Sequence, residues 1–481
     1  MTSSATALCS LSACELAARI SSRAVDPRQV TAAHLQRIDS LNDTVNAYIS
    51  VRSSEASAES ERAHQQILAG NPTGTLIGLP LAVKDNVCTA GDMTTAGSKI
   101  LIGSVTPEDA TVIKRVKDAG AILLGKTSMM EFAVGDDLNP LNGHGPSRNP
   151  WDLSRSTSGS SGGSAAALAA GLCAMSIGTD TGGSVRLPAA YCGVVGLKPT
   201  FGRVSRRGVI PLAWSLDCVG PMTRTIADNA TLLQVMAGHD PLDGASAARP
   251  RGDYLRNLTT GVGGLRVGIP KRYFMEYALP NVAEAVMAVA RELECLGARL
   301  IEIDLTHARY SVAAWTTIML AEMSAYHRTY VRRGSFPDYT QMTRVHLDWA
   351  ESVTGADYVQ AQRLRRFMAT DFEQAFADVD VVLVPTAPIE ANLIEEDLVS
   401  KELPTRAPPA GTVSTIEMTL RMTAPASLTG LPALAVPCGF SAGGLPLSAQ
   451  FIGRWFDEET LYRSAFAYEK QTPWHRRCAP L

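Results

Sequence analysis

Several signals of common protein classes are missing from this sequence of 481 residues. Its nine cysteines are an odd number and form no Cys-x-x-Cys pair, which argues against a disulfide framework and against a zinc site. Basic residues form no run of five, and the 44 Lys and Arg are balanced by 47 Asp and Glu, so the net charge is −3. This near-neutral balance argues against a protein that binds nucleic acid.

Membrane and export signals are missing as well. Residues 1–22 lack the basic start and the long apolar segment of a signal peptide. The longest apolar stretch with few charges, residues 165–177, is too short to span a bilayer. We therefore expect a cytoplasmic protein with reduced thiols and no membrane association.

The pattern of apolar residues predicts an α/β protein. Hydrophobic residues make up 46% of the chain, which is enough for a large core. Residues 1–70 have apolar positions at helical spacing, whereas farther along the chain short apolar runs alternate with glycine-rich turns and helical segments. Helical patterns return at residues 281–299 and 310–375, and strand patterns return at residues 379–388 and 431–453.

One motif match indicates a strand rather than a nucleotide site. Residues 120–127 read GAILLGKT, which fits the G-x4-G-K-T pattern of a phosphate-binding loop. The four middle residues are apolar and typical of a strand, and the segment before them is helical. We interpret this match, including Lys126, as a buried strand that ends in a turn.

Serine and glycine cluster in two tracts that flank an alanine-rich helix. The first is SRSTSGSSGGS at residues 154–164, and the second begins with GTDTGGSVR at residue 178. Gly182 and Gly183 can adopt positive φ, so that successive backbone amides turn toward one point. Such amides stabilise a developing oxyanion, and Ser184 would lie at their edge.

A serine nucleophile needs a base, and Lys84 is the candidate. Only His144 lies near these tracts, no G-x-S-x-G elbow is centred on Ser160 or Ser184, and no S-x-x-K motif occurs. Lys84 ends the apolar segment LPLAV, where burial would lower its pKa and let it act as a neutral base. A surface lysine that reaches solvent remains the alternative at this point.

These motifs together resemble the amidase signature hydrolases. The resemblance rests on PLAVKDN around Lys84, the two Ser/Gly tracts and GVVGLKPTFGRVS, and it covers roughly two thirds of the chain. Residues 240–425 match poorly. Further matching segments are GKTSMMEFAVG at 125–135, GPSRNPWD at 145–152, WSLDCVGPMTRT at 214–225, SLTGLPALAVPCGF at 427–440 and LPLSAQFIGR at 445–454.

The resemblance implies a fold and a domain organisation. The fold would be an α/β amidase-signature fold, with a large central mixed β-sheet covered by helices on both faces. The whole chain would form a single domain. Its parts would be N-terminal helices at 1–70, the signature core at 71–230, a variable and substrate-shaping part at 231–425, and a return to the core at 426–481.

The resemblance also implies a Ser-cis-Ser-Lys triad. Ser184 matches the nucleophile, Ser160 the serine whose preceding peptide bond is cis, and Lys84 the base. The backbone amides of Thr181, Gly182, Gly183 and Ser184 would hold the oxyanion. This chemistry implies no metal and no organic cofactor.

The other candidate residues could serve the active site or could have only a structural role. Asp180 and Arg186 flank the Gly-Gly-Ser turn, and we expect them to brace it. Met130 and Ser158 match positions that line the acyl side of the substrate site, although either could fill the core. Trp214 is a third candidate for substrate binding and could equally be a packing residue.

The substrate hypothesis rests on residues 310–358, which contain eight aromatic residues. They could be packing residues or could line an apolar pocket. We expect hydrolysis of the carbon–nitrogen bond of a small apolar or aryl amide, anilide or carbamate through an acyl-enzyme on Ser184. The only partner expected is this small molecule, with no nucleic acid and no membrane. A homodimer is left open, as are the leaving group and the choice between amide, carbamate and ester.

Two alternatives remain beside this hypothesis. The chain could be the glutaminase component, or A subunit, of a tRNA-dependent amidotransferase, which liberates ammonia from glutamine and works with partner chains. That branch usually reads GSDTGGSIRQP where this chain has GTDTGGSVRLP, so Leu187 argues against it. The second alternative is a binding protein without catalysis, which the presence of all three triad residues disfavours.

Overall fold

The computed structural model describes residues 2–70, 74–141, 145–396, 400–401 and 413–481. The described ranges contain both helices and strands. The helices are α1 (Thr2–Ser10), α2 (Ala13–Ser21), α3 (Pro27–Val45), α4 (Ser53–Leu68), α5 (Thr111–Asp118), α6 (Gly162–Ala169), α7 (Arg186–Cys192), α8 (Ile226–Met236), α9 (Pro280–Cys295), α10 (Ser311–Arg332), α11 (Gln341–Ala350), α12 (Gly355–Asp378), α13 (Thr415–Thr429) and α14 (Glu458–Glu469). The strands are β1 (Tyr48–Val51), β2 (Pro80–Lys84), β3 (Ile122–Thr127), β4 (Arg148–Asn149), β5 (Asp152–Ser156), β6 (Met175–Asp180), β7 (Val195–Lys198), β8 (Cys218–Thr223), β9 (Arg266–Pro270), β10 (Arg299–Ile303), β11 (Val381–Pro385), β12 (Ser400–Lys401), β13 (Val413–Ser414), β14 (Ala433–Phe440) and β15 (Pro446–Gly453).

A mixed sheet of 11 strands forms the centre of the molecule, in the order β1-β3-β2-β6-β8-β7-β14-β15-β11-β9-β10. The strand β2 pairs in parallel with β3 and β6, whereas β6 pairs with β8 in antiparallel fashion. Alternate residues of β2 pack into different apolar cores, Leu81 and Val83 into one and Ala82 into the other. Because successive strand residues point to opposite faces, helices cover both faces of the sheet. The expected α/β fold with a large mixed sheet is confirmed.

The order of the central strands brings the expected catalytic segments to one edge of the sheet. The residues of β2 and β6 pair in parallel register, Leu81 with Met175 and Val83 with Ile177. The carboxyl ends of both strands therefore meet, and Lys84 lies close to the end of β6. The short helix α6 starts just after Ser160, and α7 starts just after Ser184.

The N-terminal region contains a strand as well as helices. The expectation for residues 1–70 was helical, and α1 to α4 agree with it. Between α3 and α4, however, the residues of β1 pair with β3 at the edge of the sheet. Its sequence, YISV, is only four residues long and rich in strand-forming side chains, so helical periodicity over a longer window does not detect it.

Predicted elements in the poorly matching part of the chain are present. The pattern at 281–299 corresponds to α9, and the pattern at 310–375 corresponds to α10, α11 and α12. These last three helices pack into an apolar core of their own together with α13 and one face of β11. The division of the chain into segments that we drew from the sequence stays a prediction.

The match to a phosphate-binding loop is a buried strand, as we interpreted it. Lys126 lies within β3 and is 1% exposed. Its Nζ lies 3.6 Å from Asp85 Oδ1 and donates to Thr94 Oγ1 at 3.0 Å. A side chain at Gly125 would collide with the backbone of Ser50. No loop with inward-pointing amides exists at this position.

The nine cysteines all lie within the described ranges and are unpaired. Among the described residues, none of the helices combines the length and the apolar character that crossing a bilayer requires.

Candidate active site

A cavity of about 380 Å³ lies where the two serine-rich tracts meet. Ser160 and Ser184 both line it, together with Met130 and Ser158. The structure therefore brings together four of the side chains that the sequence singled out. His144 lies outside the described residues.

Lys84 reaches this place from the end of β2 and is fully buried. Its Nζ donates to Ser160 Oγ at 2.7 Å, to Thr179 Oγ1 at 2.9 Å and to the Thr179 carbonyl at 3.4 Å. Within the described part of the chain, no carboxylate lies at ion-pair distance from this Nζ. The lysine is thus held by neutral oxygens alone.

Burial lowers the pKa of Lys84 from 10.5 to about 7. The ammonium form loses the water that would solvate it, and this cost outweighs the attraction of three carboxylates that lie farther away, Asp180, Asp217 and Asp137. In a substantial fraction of the molecules, Lys84 is therefore an uncharged amine near neutral pH. Such an amine can accept a proton from Ser160.

Asp85 follows Lys84 directly but does not contact its amine. Its carboxylate accepts from the backbone amide of Thr95 at 3.0 Å and lies near Lys126 on the other face of the strand. Strand alternation explains this separation, because neighbouring residues point to opposite faces. The carboxylate nearest in sequence thus leaves Lys84 without a countercharge.

The segment that carries Ser160 approaches Met130 closely. The Gly159–Ser160 peptide bond is cis. The amide of Met130 donates to the Ser160 carbonyl at 3.3 Å, and a side chain at position 159 would collide with the Met130 thioether. Glycine at position 159 is what permits this packing.

Ser184 lies at the end of the Gly-Gly-Ser turn and is partly exposed to the cavity. The amide of Ser161 donates to the Ser184 carbonyl at 3.1 Å, which ties the two serine-rich segments together. The Ser184 hydroxyl makes no hydrogen bond to another described residue. It is therefore available to a molecule in the cavity.

The backbone amides of the turn differ in whether a nearby group already accepts their hydrogen bond. The amide of Gly183, where φ is +139°, donates to Asp180 Oδ1 at 2.9 Å. The amides of Thr181, Gly182 and Ser184 have no acceptor among the described residues. Three of the four amides expected to hold an oxyanion are thus without a competing bond, and the fourth is engaged.

A buried ion pair braces this turn. Arg186 Nη2 lies 2.9 Å from Asp180 Oδ1, and both side chains are fully buried. Burial alone would raise the pKa of Asp180, but the charge and hydrogen bonds of Arg186 hold it below its usual value. Arg186 also donates to Gln450 Oε1 at 2.6 Å and to Ser427 Oγ at 2.8 Å. The pair joins the turn to β15 and α13, in agreement with the bracing role we expected.

Two supporting residues were not identified from the sequence. Thr179 Oγ1 accepts from Lys84 and, at 3.2 Å, from Asn86 Nδ2. Asp217 Oδ1 accepts from Thr181 Oγ1 at 2.6 Å, and burial raises the pKa of Asp217 to about 6. The sequence signal for both was weak, because each lies inside a matching motif without being one of its serines, glycines or lysines.

The residues proposed for substrate binding are not all at the cavity. Met130 and Ser158 line it, but Trp214 does not. The indole of Trp214 is 47% exposed and packs edge-on against Tyr326, with ring centroids 6.0 Å apart.

The aromatic segment 310–358 divides between the two interpretations. Trp315 and Trp349 line the cavity. Others pack against one another inside the protein, such as Tyr339, whose ring centroid lies 5.8 Å from that of Phe132. The aromatic content of this segment therefore reflects helix packing as well as the cavity wall.

The cavity wall carries no carboxylate, guanidinium or ammonium group among its described lining residues. His346 is its one imidazole. The His346 Nδ1 lies 2.9 Å from the Met342 carbonyl, which can only accept, so Nδ1 carries the proton. Burial lowers the pKa of His346, which leaves the ring neutral with Nε2 as an acceptor.

Comparison with known proteins identifies relatives over the full length. The family model described as Amidase matches residues 29–462. The A subunit of the glutamyl-tRNA(Gln) amidotransferase of Myxococcus xanthus is 43% identical, over 98% of this chain and 100% of the relative. The corresponding protein of Geobacter sp. is 40% identical, over 97% and 98% of the two chains.

Solved structures agree with this relationship. A chain described as part of "an unexpected vestigial protein complex" that reveals the origins of "an s-triazine catabolic enzyme" superposes with a TM-score of 0.89 at 32% identity, over 96% of this chain and 98% of that one. The A subunit of the glutamyl-tRNA(Gln) amidotransferase of Thermotoga maritima superposes with a TM-score of 0.77 at 34% identity, over 93% and 92%.

These findings overturn the main substrate hypothesis. We expected a hydrolase of small apolar or aryl amides and carbamates, and the full-length relatives are instead amidotransferase A subunits. The hypothesis is therefore wrong, because it gave too much weight to an aromatic-rich segment of which only Trp315 and Trp349 line the cavity. It also gave too much weight to the single exchange at Leu187, against identity over the whole chain.

The expectation about partners is wrong for a related reason. We expected a small molecule alone and no nucleic acid, whereas the relatives are named as subunits of an enzyme that acts on a glutamyl-tRNA. The net charge of one chain does not report on what an assembly of several chains binds. The model match over residues 29–462 and the relatives at about 40% identity establish the family. The chain is a member of the amidase, or amidase signature, family of enzymes that hydrolyse carbon–nitrogen bonds.

Proposed function

We propose that this chain is the ammonia-releasing component of a tRNA-dependent amidotransferase. In this role it hydrolyses the side-chain carboxamide of glutamine, and the ammonia serves the amidation of a misacylated tRNA on partner chains. The observation that carries the proposal is the 43% identity to an amidotransferase A subunit over 98% of this chain and all of the relative.

The contacts of Lys84 support a serine-based mechanism. The neutral amine accepts the proton of Ser160 while Ser160 takes the proton of Ser184. The Ser184 oxygen forms a bond to the carboxamide carbon, and the carbonyl electrons move to its oxygen. When the tetrahedral intermediate collapses, the carbon–nitrogen bond breaks and the relay returns the proton to nitrogen, which leaves as ammonia.

The second half of the reaction uses the same residues in the same order. Water loses a proton to the relay and attacks the acyl carbon, and the ester bond to Ser184 breaks. Glutamate and the free serine result, so one water is consumed for each ammonia released. The free backbone amides of Gly182 and Ser184 are suited to hold the oxyanion of both intermediates.

The cavity has room for a small carboxamide, but few groups on its wall can bind the charged groups of glutamine. The Nε2 of His346 is an acceptor suited to the ammonium group of glutamine, and the hydroxyls of Ser158 and Thr316 are suited to polar contacts. The described wall has no cation for the carboxylate of glutamine. We therefore expect weak glutaminase activity for the isolated chain and stronger activity when its partner chains are bound.

The test is ammonia release from glutamine by the chain alone and after co-expression with the amidotransferase partner chains of the source genome. We expect activity that increases strongly with the partners and is lost in Ser184→Ala. Ser154→Ala is the matched control, since Ser154 is exposed in the first serine-rich tract and, among the described residues, its hydroxyl bonds only to Asp152.

Two outcomes of this test separate the parts of the proposal. A fluorophosphonate that labels Ser184 without any release of ammonia from glutamine, even with partners, would overturn the substrate and leave the serine chemistry intact. Absence of labelling at Ser184 would overturn the mechanism itself.

A further inference from the structure

Trp315 connects the variable helices to the backbone of the catalytic turn. It lies in α10, is 7% exposed and lines the cavity. Its Nε1 donates to the carbonyl of Thr181 at 2.9 Å. Its ring covers Gly182 so closely that a side chain there would lie 2.5 Å from the ring carbon Cζ2.

This bond fixes the direction of a neighbouring amide. The carbonyl of Thr181 and the N–H of Gly182 belong to one peptide unit, which is planar, so they point in opposite directions. When the indole holds the carbonyl on one side, the amide of Gly182 faces the other way. That amide has no acceptor among the described residues.

The next peptide unit, between Gly182 and Gly183, is held by a side chain from a different helix. The carbonyl of Gly182 accepts from the hydroxyl of Thr423 in α13, and the amide of Gly183 donates to Asp180. Both ends of Gly182 are thus fixed by side chains that lie outside the turn. A glycine pair needs such outside contacts, because it lacks the steric restriction that would otherwise oppose rotation of the 181–182 peptide.

We propose that Trp315 is a positioning residue that orients the Gly182 amide toward the oxyanion. The inference rests on the proposed acyl transfer at Ser184 but not on the identity of the substrate. Trp315 acts through the peptide of Thr181, and the ring also forms part of the cavity wall. Its two roles are separable, because only the N–H group orients the peptide.

The test measures the rate at which a fluorophosphonate labels Ser184, since this reaction also develops negative charge on an oxygen in the turn. Trp315→Phe keeps a ring and removes the N–H group. We expect labelling about 10-fold to 100-fold slower, which is at or below the usual cost of losing an oxyanion donor directly. For turnover of an amide we expect kcat to fall by a similar factor and KM to change little.

Trp455→Phe is the matched control. The Nε1 of Trp455 donates to the carbonyl of Thr429 at 2.8 Å, so this variant loses the same kind of bond away from the cavity. We expect its labelling rate to equal that of the unaltered chain. If Trp315→Phe does not fold, placing 3-benzothienylalanine at position 315 removes the N–H group and keeps the shape of the ring.

Each outcome decides the inference. An unchanged labelling rate without the N–H group at position 315, an equal loss in Trp455→Phe, or a change confined to KM would overturn it. Lack of labelling in the unaltered chain would overturn both this inference and the proposed mechanism. Slow or absent turnover of glutamine with normal labelling would contradict only the proposed substrate and would leave this inference intact.

Discussion

The amine of Lys84 lies 2.7 Å from the hydroxyl of Ser160, although 76 residues separate them in sequence. The contact depends on parallel pairing of β2 and β6, which brings the carboxyl ends of these two strands together beside the segment that carries Ser160. The same pairing sets Thr179 against the amine at 2.9 Å. Lys84 is therefore surrounded by hydroxyl groups and shielded from water.

Activity should depend on pH through the protonation of Lys84. Its pKa is about 7, and only the uncharged amine accepts a proton, so kcat/KM should rise with pH through an apparent pKa of about 7. The measurement is the rate of Ser184 labelling from about pH 5 to about pH 9. A rate that stays constant over this range, or one that continues to rise about tenfold per pH unit without levelling off toward about pH 9, would contradict the proposed base.

Replacing Lys84 should stabilise the protein while it abolishes catalysis. The lowered pKa means that the unfolded chain binds more protons than the folded chain between about pH 7 and the ordinary lysine pKa. This contribution to the free energy of unfolding is therefore unfavourable at pH 7 and diminishes as the pH rises. We expect Lys84→Met to unfold with a higher free energy at neutral pH, by at most about 4 kcal/mol because the lost hydrogen bonds of Lys84 offset part of the gain, measured by urea denaturation.

The control for this prediction is a lysine with the same charge and an exposed position. Lys114 forms a surface ion pair with Asp118 at 3.0 Å. Because exposed pairs contribute little, Lys114→Met should change the free energy of unfolding by less than about 1 kcal/mol. A destabilised Lys84→Met would show that the bonds of the ammonium outweigh its desolvation.

Thr179 should affect both the rate and the pKa of Lys84. Thr179→Val keeps the shape of the side chain and removes the hydroxyl that accepts from Lys84 and Asn86. Loss of an acceptor disfavours the ammonium form, so the apparent pKa of the pH profile should fall, and kcat/KM should fall about 10-fold because the amine is less well held. Thr179→Ser retains the hydroxyl and should restore both values. An unshifted pH profile in Thr179→Val would contradict this role.

The sequence was sufficient for the fold and for the residues that motifs carry. Lys84, Ser160 and Ser184 each lie in a short motif. In the structure the two serines line one cavity, and the buried Lys84 contacts Ser160. Of the residues missed, Thr179 and Asp217 lie inside matching motifs, whereas others act from a distance along the chain. Trp315 and Thr423 come from helices in the part of the chain that matches the family poorly or borders it, and their contacts exist only after the helices have packed.

The error about the substrate has a physical origin. An aromatic-rich helical segment can cover a cavity, build a core or do both, and composition does not distinguish these. Of that segment, Trp349 is 54% exposed at the cavity, whereas Tyr339 is 3% exposed in the core. The direction of each side chain depends on how α10 and α11 pack, which sequence periodicity alone leaves open.

His346 should govern the affinity for the amino acid part of glutamine. The bond of its Nδ1 to the Met342 carbonyl leaves Nε2 as an acceptor, His346 lines the cavity, and an ammonium group is a donor. We expect His346→Phe to raise KM for glutamine by about 10-fold with little change in kcat, because a lost hydrogen bond to a charged group costs about 1.5–3 kcal/mol.

The measurement is glutaminase activity of the assembled complex, with a carboxamide that lacks the ammonium group as the second substrate, for which KM should not change. His239→Phe, which replaces an exposed histidine away from the cavity, is the control. Equal effects on both substrates would mean that His346 shapes the cavity instead of binding the ammonium group.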